Sequence, residues 1–170
     1  APYGYCVEKV NGIYKLIVEP EAAKIVRRIF EEYASGDGIQ SIIDRLFEDG
    51  VHRISDYNQY HHVYCKDGEK LHQWGNSSIR AVLNRNNYYG DLVQRKYESR
   101  FQRGEKWCDI LDESQWIITP NAHEPIISRE LFDKAQVRLK AAQQKAAKTT
   151  AGWEEDERAF YNVFYCGDCK

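Results

Sequence analysis

Three groups of side chains have the types and spacing to do chemistry. The first is Cys166-x-x-Cys169, whose two thiolates can share one Zn²⁺. A structural zinc takes four ligands, so this pair is half a site and is expected to stand empty by itself. A thioredoxin-type redox reading needs a strand-to-helix turn after the pair, and only Lys170 follows. The second group is His52, His61, His62, Cys65 and His72, all in one polar stretch. Paired zinc spacings are missing there, adjacent His61 and His62 would point apart on a strand, and no carboxylate motif frames a hydrolytic centre. The third is Ser77-Ser78 at a helix start, without an acidic or histidine partner at a diagnostic spacing. These serines are expected to cap the helix and meet phosphate rather than act as nucleophiles. His123, before Glu124-Pro125, reads as a structural turn histidine. No catalytic residue is predicted in this chain.

Charge narrows the choice of partner. The net charge of −2 hides an uneven distribution. Residues 76–106 carry seven Lys/Arg against three acids, a balance of +4, while residues 1–75 and 107–170 each balance at −3. A phosphate-facing surface needs cations concentrated on one face, not a high overall pI. A content of 42% hydrophobic and 29% charged residues excludes a disordered chain. No run approaches the roughly 18 apolar residues that a membrane-spanning helix requires. Five cysteines without framework spacing argue for a reducing, cytoplasmic setting. The start, Ala1-Pro2-Tyr3-Gly4-Tyr5, is unlike a signal peptide, and the lack of any Met suggests a segment of a longer chain.

The elements that must position these groups can be read from periodicity. Ile13-Tyr-Lys-Leu-Ile-Val18 alternates as a short strand. Pro20 suits a first helical turn, and Ala22, Ile25, Val26, Ile29, Phe30 and Tyr33 form one stripe, stopped by Gly36 and Gly38. A second helix is expected from Ile39 to Asp49, with Ile39, Ile42, Ile43, Leu46 and Phe47 inward and Gly50 as its stop. Residues 52–73 lack a clean period and read as a long loop that could hold a ribbon. Asn76, Ser77 and Ser78 are candidate caps for a short third helix bearing Ile79, Val82 and Leu83. A strand is expected from Tyr88 to Tyr97, then a basic turn with Arg100, Arg103 and Gly104, then a partner run through Trp116-Ile117-Ile118. Ser128 caps a last helix in which Leu131, Phe132, Ala135, Leu139 and Ala142 face one side, with a fraying helix or linker beyond.

Two helices bracing a short third one follow helix-turn-helix logic, and a basic ribbon after them would be a wing. The expected fold is therefore α+β: a winged-helix-like DNA-binding domain with a small antiparallel sheet and a C-terminal helix. If Ile79, Val82 and Leu83 face inward, Asn76, Ser77, Arg80, Ala81, Asn84 and Arg85 fall on the outer arc. Arg forks onto guanine, Asn onto adenine and Ser onto phosphate. Ser78 at the helix start and Arg95, Lys96, Arg100 and Arg103 on the ribbon complete the expected contacts to double-stranded DNA. Two alternatives stand beside it: a metal-dependent nuclease built on the His/Cys loop, and a helix-turn-helix transcriptional regulator sharing the fold.

Several stretches occur together and in order: Pro2-Tyr-Gly-Tyr5, Val18-Glu-Pro-Glu-Ala22, Ile29-Phe-Glu-Glu-Tyr33, Gly36-Asp-Gly-Ile39, Ile43-Asp-Arg-Leu46, Trp74-Gly-Asn-Ser-Ser-Ile79 and Val82-Leu-Asn-Arg-Asn-Asn-Tyr-Tyr-Gly90. With His123-Glu-Pro-Ile-Ile-Ser128, Glu130-Leu-Phe132 and Phe164-Tyr-Cys-Gly-Asp-Cys169, this set resembles the recombinase domain of large serine recombinases, the phage integrases and mobile-element resolvases. The resemblance implies a parent whose catalytic serine lies in a separate, preceding domain, and which acts as a dimer or tetramer on DNA. It implies a linker arm and first strand over residues 1–18, a DNA-binding recombinase domain over 19–150, and the start of a zinc ribbon over 151–170. Cys166 and Cys169 would be the ribbon's first knuckle, with zinc bound in the parent's complete ribbon and no cofactor in this chain. Tyr3 and Tyr5 would lie near the minor groove, and the third helix in the major groove of an attachment half-site. Residues 51–73 exceed the family's usual short connection.

Overall fold

An Asn-Gly dipeptide opens the architecture. Asn11 (φ 51°) and Gly12 (φ 84°) are both left-handed, which is the two-residue turn whose twist matches antiparallel strands. It joins β1 (Tyr5–Val10) to β2 (Ile13–Val18), in register from Tyr5 opposite Val18 to Val10 opposite Ile13. β2 was expected; β1 replaces what read as a linker arm. In the computed structural model, which describes residues 1–99 and 108–151, the chain is α+β. Among the described residues it has five α-helices and three two-stranded antiparallel sheets.

Helix α1 (Pro20–Ser35) starts where the Glu19 carboxylate accepts the Ala22 N–H at 2.8 Å, with Pro20 in the first turn. Its predicted stripe is buried in full, and Gly36 at φ 127° closes it by donating to the Glu32 and Tyr33 carbonyls. Helix α2 (Ile39–Glu48) buries Ile42, Ile43 and Leu46. Complete burial of each is worth about 1.5–3 kcal/mol of hydrophobic transfer. Phe47 was expected inward but is 41% exposed: the helix ends one residue later, and the chain turns off through Gly50, leaving the ring uncovered. Helices α1, α2 and α4 (Asn76–Leu83) pack pairwise on one another.

Residues 51–73 are more ordered than a loop. Val51 bridges Tyr64, the His52 N–H donates to the Val63 carbonyl, and the Cys65 N–H donates to the Gly50 carbonyl, both at 2.8 Å. Between these ties runs a short helix, α3 (Ile54–Tyr60), closed by His61 in the left-handed region (φ 58°). Val51 and Val63 are buried, as is Trp74 just after the segment, which packs edge-on against Tyr3.

After α4, the expected strand at Tyr88 is instead a 3₁₀ turn (Asn86–Tyr89), with Tyr88 wholly buried. Strand β3 (Leu92–Gln94) pairs with β6 (Ile117–Thr119), and β4 (Tyr97–Ser99) pairs with β5 (Cys108–Ile110). Arg95, left-handed at φ 55°, separates the two ladders. The expected antiparallel partnership of the 88–97 and 116–118 regions is thus present, shortened. Helix α5 (Arg129–Ala151) starts with the Ser128 hydroxyl accepting the Leu131 N–H at 3.2 Å, as expected. Phe132, Ala135 and Leu139 are buried, but Ala142 is exposed, and the helix runs on to Ala151 instead of fraying at 142. The chain divides into two units, Ala1–Ala135 and Gln136–Lys170.

Candidate nucleic-acid interface

The sequence places three apolar residues on one side of α4, and Ile79, Val82 and Leu83 are all buried. Helical geometry then turns the other side to solvent: Asn76, Ser77, Arg80 and Ala81 are exposed and Ser78 is half-buried, while Asn84, the residue that closes the helix, and extended Arg85 are exposed just past its end. The expected capping by Asn76, Ser77 or Ser78 is corrected. Gly75, extended at φ −87° and ψ 150°, is the cap residue, and among the described residues no side chain caps the helix. The three polar residues sit inside the first turn because the Gly75 carbonyl already takes the Ser78 and Ile79 N–H groups. The positive end of the helix dipole is therefore left open beside Asn76 and Ser77, a favourable place for a phosphate. Asn84 donates one amide proton to the Arg80 carbonyl at 2.8 Å, which orients its remaining donor and its acceptor outward.

Beyond the exposed end of α4, the ribbon is rooted by Lys96. Its ammonium donates to Asn86 Oδ1 at 3.1 Å and lies 4.8 Å from the Trp116 ring centroid. Lys96 was expected to meet phosphate; half-buried and held this way, it fastens the ribbon to the 3₁₀ turn. Arg95, next to it, is exposed. Arg100 and Arg103 lie outside the described residues, as do Cys166 and Cys169.

Gly90 fixes the other side of the root. At φ 98°, its carbonyl accepts the Ala122 and His123 N–H groups, while the Tyr88 carbonyl accepts those of Ile126 and Ile127. His123 Nε2 reaches the Asn87 carbonyl at 2.6 Å, the structural role its sequence context suggested.

Tyr3 and Tyr5 are a correction. Both are buried, at 6% and 5% exposure. Tyr3 packs edge-on against Tyr57 and Trp74, and the Tyr5 hydroxyl donates to the Glu124 carbonyl at 2.8 Å. Burial pushes both phenols far above their ordinary pKa. These rings hold the first strand to the core and present no surface to a groove.

A family model described as Recombinase matches residues 20–142, from the first turn of α1 into α5. The chain belongs to the Recombinase family. That match bears out the resemblance read from the ordered motifs. Among solved structures, the crystal structure of an LSR-DNA complex is similar, with a TM-score of 0.47 and 20% identity over 82% of this chain. This chain spans 30% of the length of that one. No described helix is long and apolar enough to cross a membrane.

The recombinase domain also holds a polar cluster whose histidines the sequence reading singled out and whose carboxylates, Glu69 and Asp56, it missed. His52, expected in a solvated loop, is fully buried, with Nε2 3.0 Å from Glu69 Oε2. His62 Nε2 lies 2.9 Å from Glu69 Oε1. Nearby, buried Asp56 takes Arg53 Nε at 3.1 Å and faces His72 Nδ1 at 2.9 Å. His61, the cap of α3, is exposed, and Cys65 directs its thiol to the Glu69 carbonyl at 3.6 Å. The available signal was Lys66-Asp67-Gly68-Glu69: with Gly68 left-handed, the Glu69 carboxylate folds back onto the Lys66 N–H at 2.9 Å and is presented to the imidazoles.

Proposed function

We infer that this chain seats a serine site-specific recombinase on its attachment half-site, by laying the outer face of α4 in the major groove of duplex DNA. The observation that carries this reading is the segregation along α4: Ile79, Val82 and Leu83 buried, Asn76, Ser77 and Arg80 exposed on a helix whose start has no side-chain cap, and Asn84 and Arg85 exposed just past its end. Arg80 and Arg85 have the forked donors that discriminate guanine, and Asn84 keeps the donor and acceptor that pair with adenine. The ribbon, with exposed Arg95 at its base, tracks phosphates alongside, and Arg100 and Arg103 add to the cationic run that follows it in sequence. Strand cleavage belongs to a separate catalytic domain of the parent, and Cys166 with Cys169 supplies half of a zinc ribbon. Membership of the Recombinase family and the ordered motifs support this assignment.

Salt dependence tests it. Binding of the 170-residue chain to a labelled half-site duplex, followed by anisotropy, should weaken linearly in log Kd against log[salt], with a slope of about 0.9 per phosphate contacted. Affinity that is indifferent to salt and to duplex sequence would overturn the reading.

A further inference from the structure

We propose that His52, His62 and Glu69 form a binding site for one divalent ion of the zinc class, set in the insertion between α2 and α4. One ligand atom from each lies within 4.8 Å of the others. The Glu69 carboxylate straddles the two imidazoles, one oxygen 3.0 Å from His52 Nε2 and the other 2.9 Å from His62 Nε2.

Proton accounting points to a cation. His62 Nδ1 lies 2.9 Å from the Tyr64 carbonyl, which only accepts, so Nδ1 carries the proton. In the neutral ring, Nε2 then turns a lone pair toward a carboxylate oxygen, and two acceptors face each other. A positive charge between them resolves the conflict, either a second proton on His62 or a metal ion. An Nδ1–H held by a carbonyl, with Nε2 free to coordinate, is the usual outer support of a metal-bound histidine.

The rest of the setting suits an ion. His52 is fully buried and stacks on Tyr60, with centroids 5.1 Å apart, and Tyr60 stacks on His62 at 5.9 Å. Among the described residues, His52 Nδ1 has no hydrogen-bond partner, so the ring is held by its stacking on Tyr60 and by the contact of Nε2 with Glu69. The Lys66 N–H holds the carboxylate in place. His62 and Glu69 are partly exposed, so the cluster is reached by solvent on one side. Two imidazoles, a carboxylate and a water make a tetrahedral zinc set, with ligand–ligand edges of about 3.4 Å from ordinary zinc distances. One Glu69 oxygen would serve as ligand, its imidazole contact opening by about 0.4 Å, and the imidazole nitrogens, now within 4.8 Å, would settle to the same edge. Cys65 stays outside the set, its thiol directed at a backbone carbonyl. The ion would tie residue 52, shortly after α2, to residue 62, just past α3, and to residue 69 on the way to α4, and so stiffen the connection that presents α4.

The test uses the full chain with Cys166→Ser and Cys169→Ser, which removes the other thiol pair, stripped by chelator and titrated with Zn²⁺ or Co²⁺. The expected result is one ion per chain, tetrahedral Co²⁺ absorption without thiolate charge transfer, and a melting temperature that climbs with Zn²⁺. His62→Ala, and the near-isosteric Glu69→Gln in case the first misfolds, should each lower affinity at least about a hundredfold, since losing outer-shell partners alone costs 10–100-fold. No bound ion, equal uptake by Glu69→Gln, or thiolate charge transfer that Cys65→Ser abolishes would overturn the proposal. Titration of His62 as an imidazolium in a chain that takes no Zn²⁺ would overturn it too.

Discussion

Replacing Gly90 with alanine should destabilise the domain without touching any exposed cation. Gly90 adopts φ 98°, where an L side chain costs about 1–2 kcal/mol. An added Cβ would sit 3.0 Å from the His123 carbonyl oxygen. That carbonyl cannot easily yield, because the His123 N–H is bonded to the Gly90 carbonyl and its ring to the Asn87 carbonyl. We assign about 1–2 kcal/mol to the displacement, the low end of overpacking costs. Alanine returns about 0.4–1 kcal/mol by restricting the unfolded chain, so the net loss is about 1–3.5 kcal/mol. At about 2–4 °C per kcal/mol for a chain of this size, the melting temperature should fall by about 2–14 °C. Urea denaturation followed by tryptophan fluorescence measures the loss directly, with an unchanged m value. A change below about 0.5 kcal/mol would refute the claim that Gly90 locks the ribbon to the segment ahead of α5.

Two further outcomes follow from buried polar groups. The Tyr88 hydroxyl is buried with no hydrogen-bond partner among the described residues, and burial raises its pKa, opposed by the nearby charge of Arg85. Tyr88→Phe should leave stability unchanged or raise it by up to about 1 kcal/mol in urea melts, whereas a loss above that would reveal a partner for the hydroxyl. Acid stability should depend on Asp56 and Glu69. Burial pushes Asp56 up, but hydrogen bonds and charge from His72 and Arg53 outweigh it and hold the carboxyl below its usual range. Glu69 is lowered first by the Lys66 N–H and then, against burial, by His52 and His62. With folded values below unfolded ones, the stability these groups supply is intact above about pH 5 and fades as pH falls through about 4 and below. Asp56→Asn should flatten that acid limb, and an unaltered limb would count against the pairing.

The helices were legible because each buries a stripe at three-and-four spacing, as Ile25, Val26, Ile29 and Phe30 do in α1, and Ile79, Val82 and Leu83 in α4. From the last three alone, the exposed arc of α4 could be drawn residue by residue. Strand β1 escaped notice although Asn11-Gly12 announced its hairpin, since much of β1 is exposed and its own sequence shows no apolar alternation. The burial of Tyr3 and Tyr5 depends on Tyr57, Trp74, Tyr88 and Glu124, partners 50 or more residues away that no local pattern can name. Lys96 shows the same limit: a cation in a basic run looks available until Trp116 and Asn86 are seen around it. The His52–His62–Glu69 cluster was hidden because its carboxylate comes from a turn and not from a spaced motif.

The central claim is that α4 reads bases, and single-base competition tests it most directly. Half-site duplexes changed at one position at a time should be ranked by wild type and by Arg80→Ala and Arg85→Ala chains at one salt concentration. A base-reading arginine should cost about 1–3 kcal/mol on the preferred duplex and lose selectivity at one position only. A uniform loss across every duplex, with the ranking preserved for both variants, would place these arginines on phosphate and contradict the account.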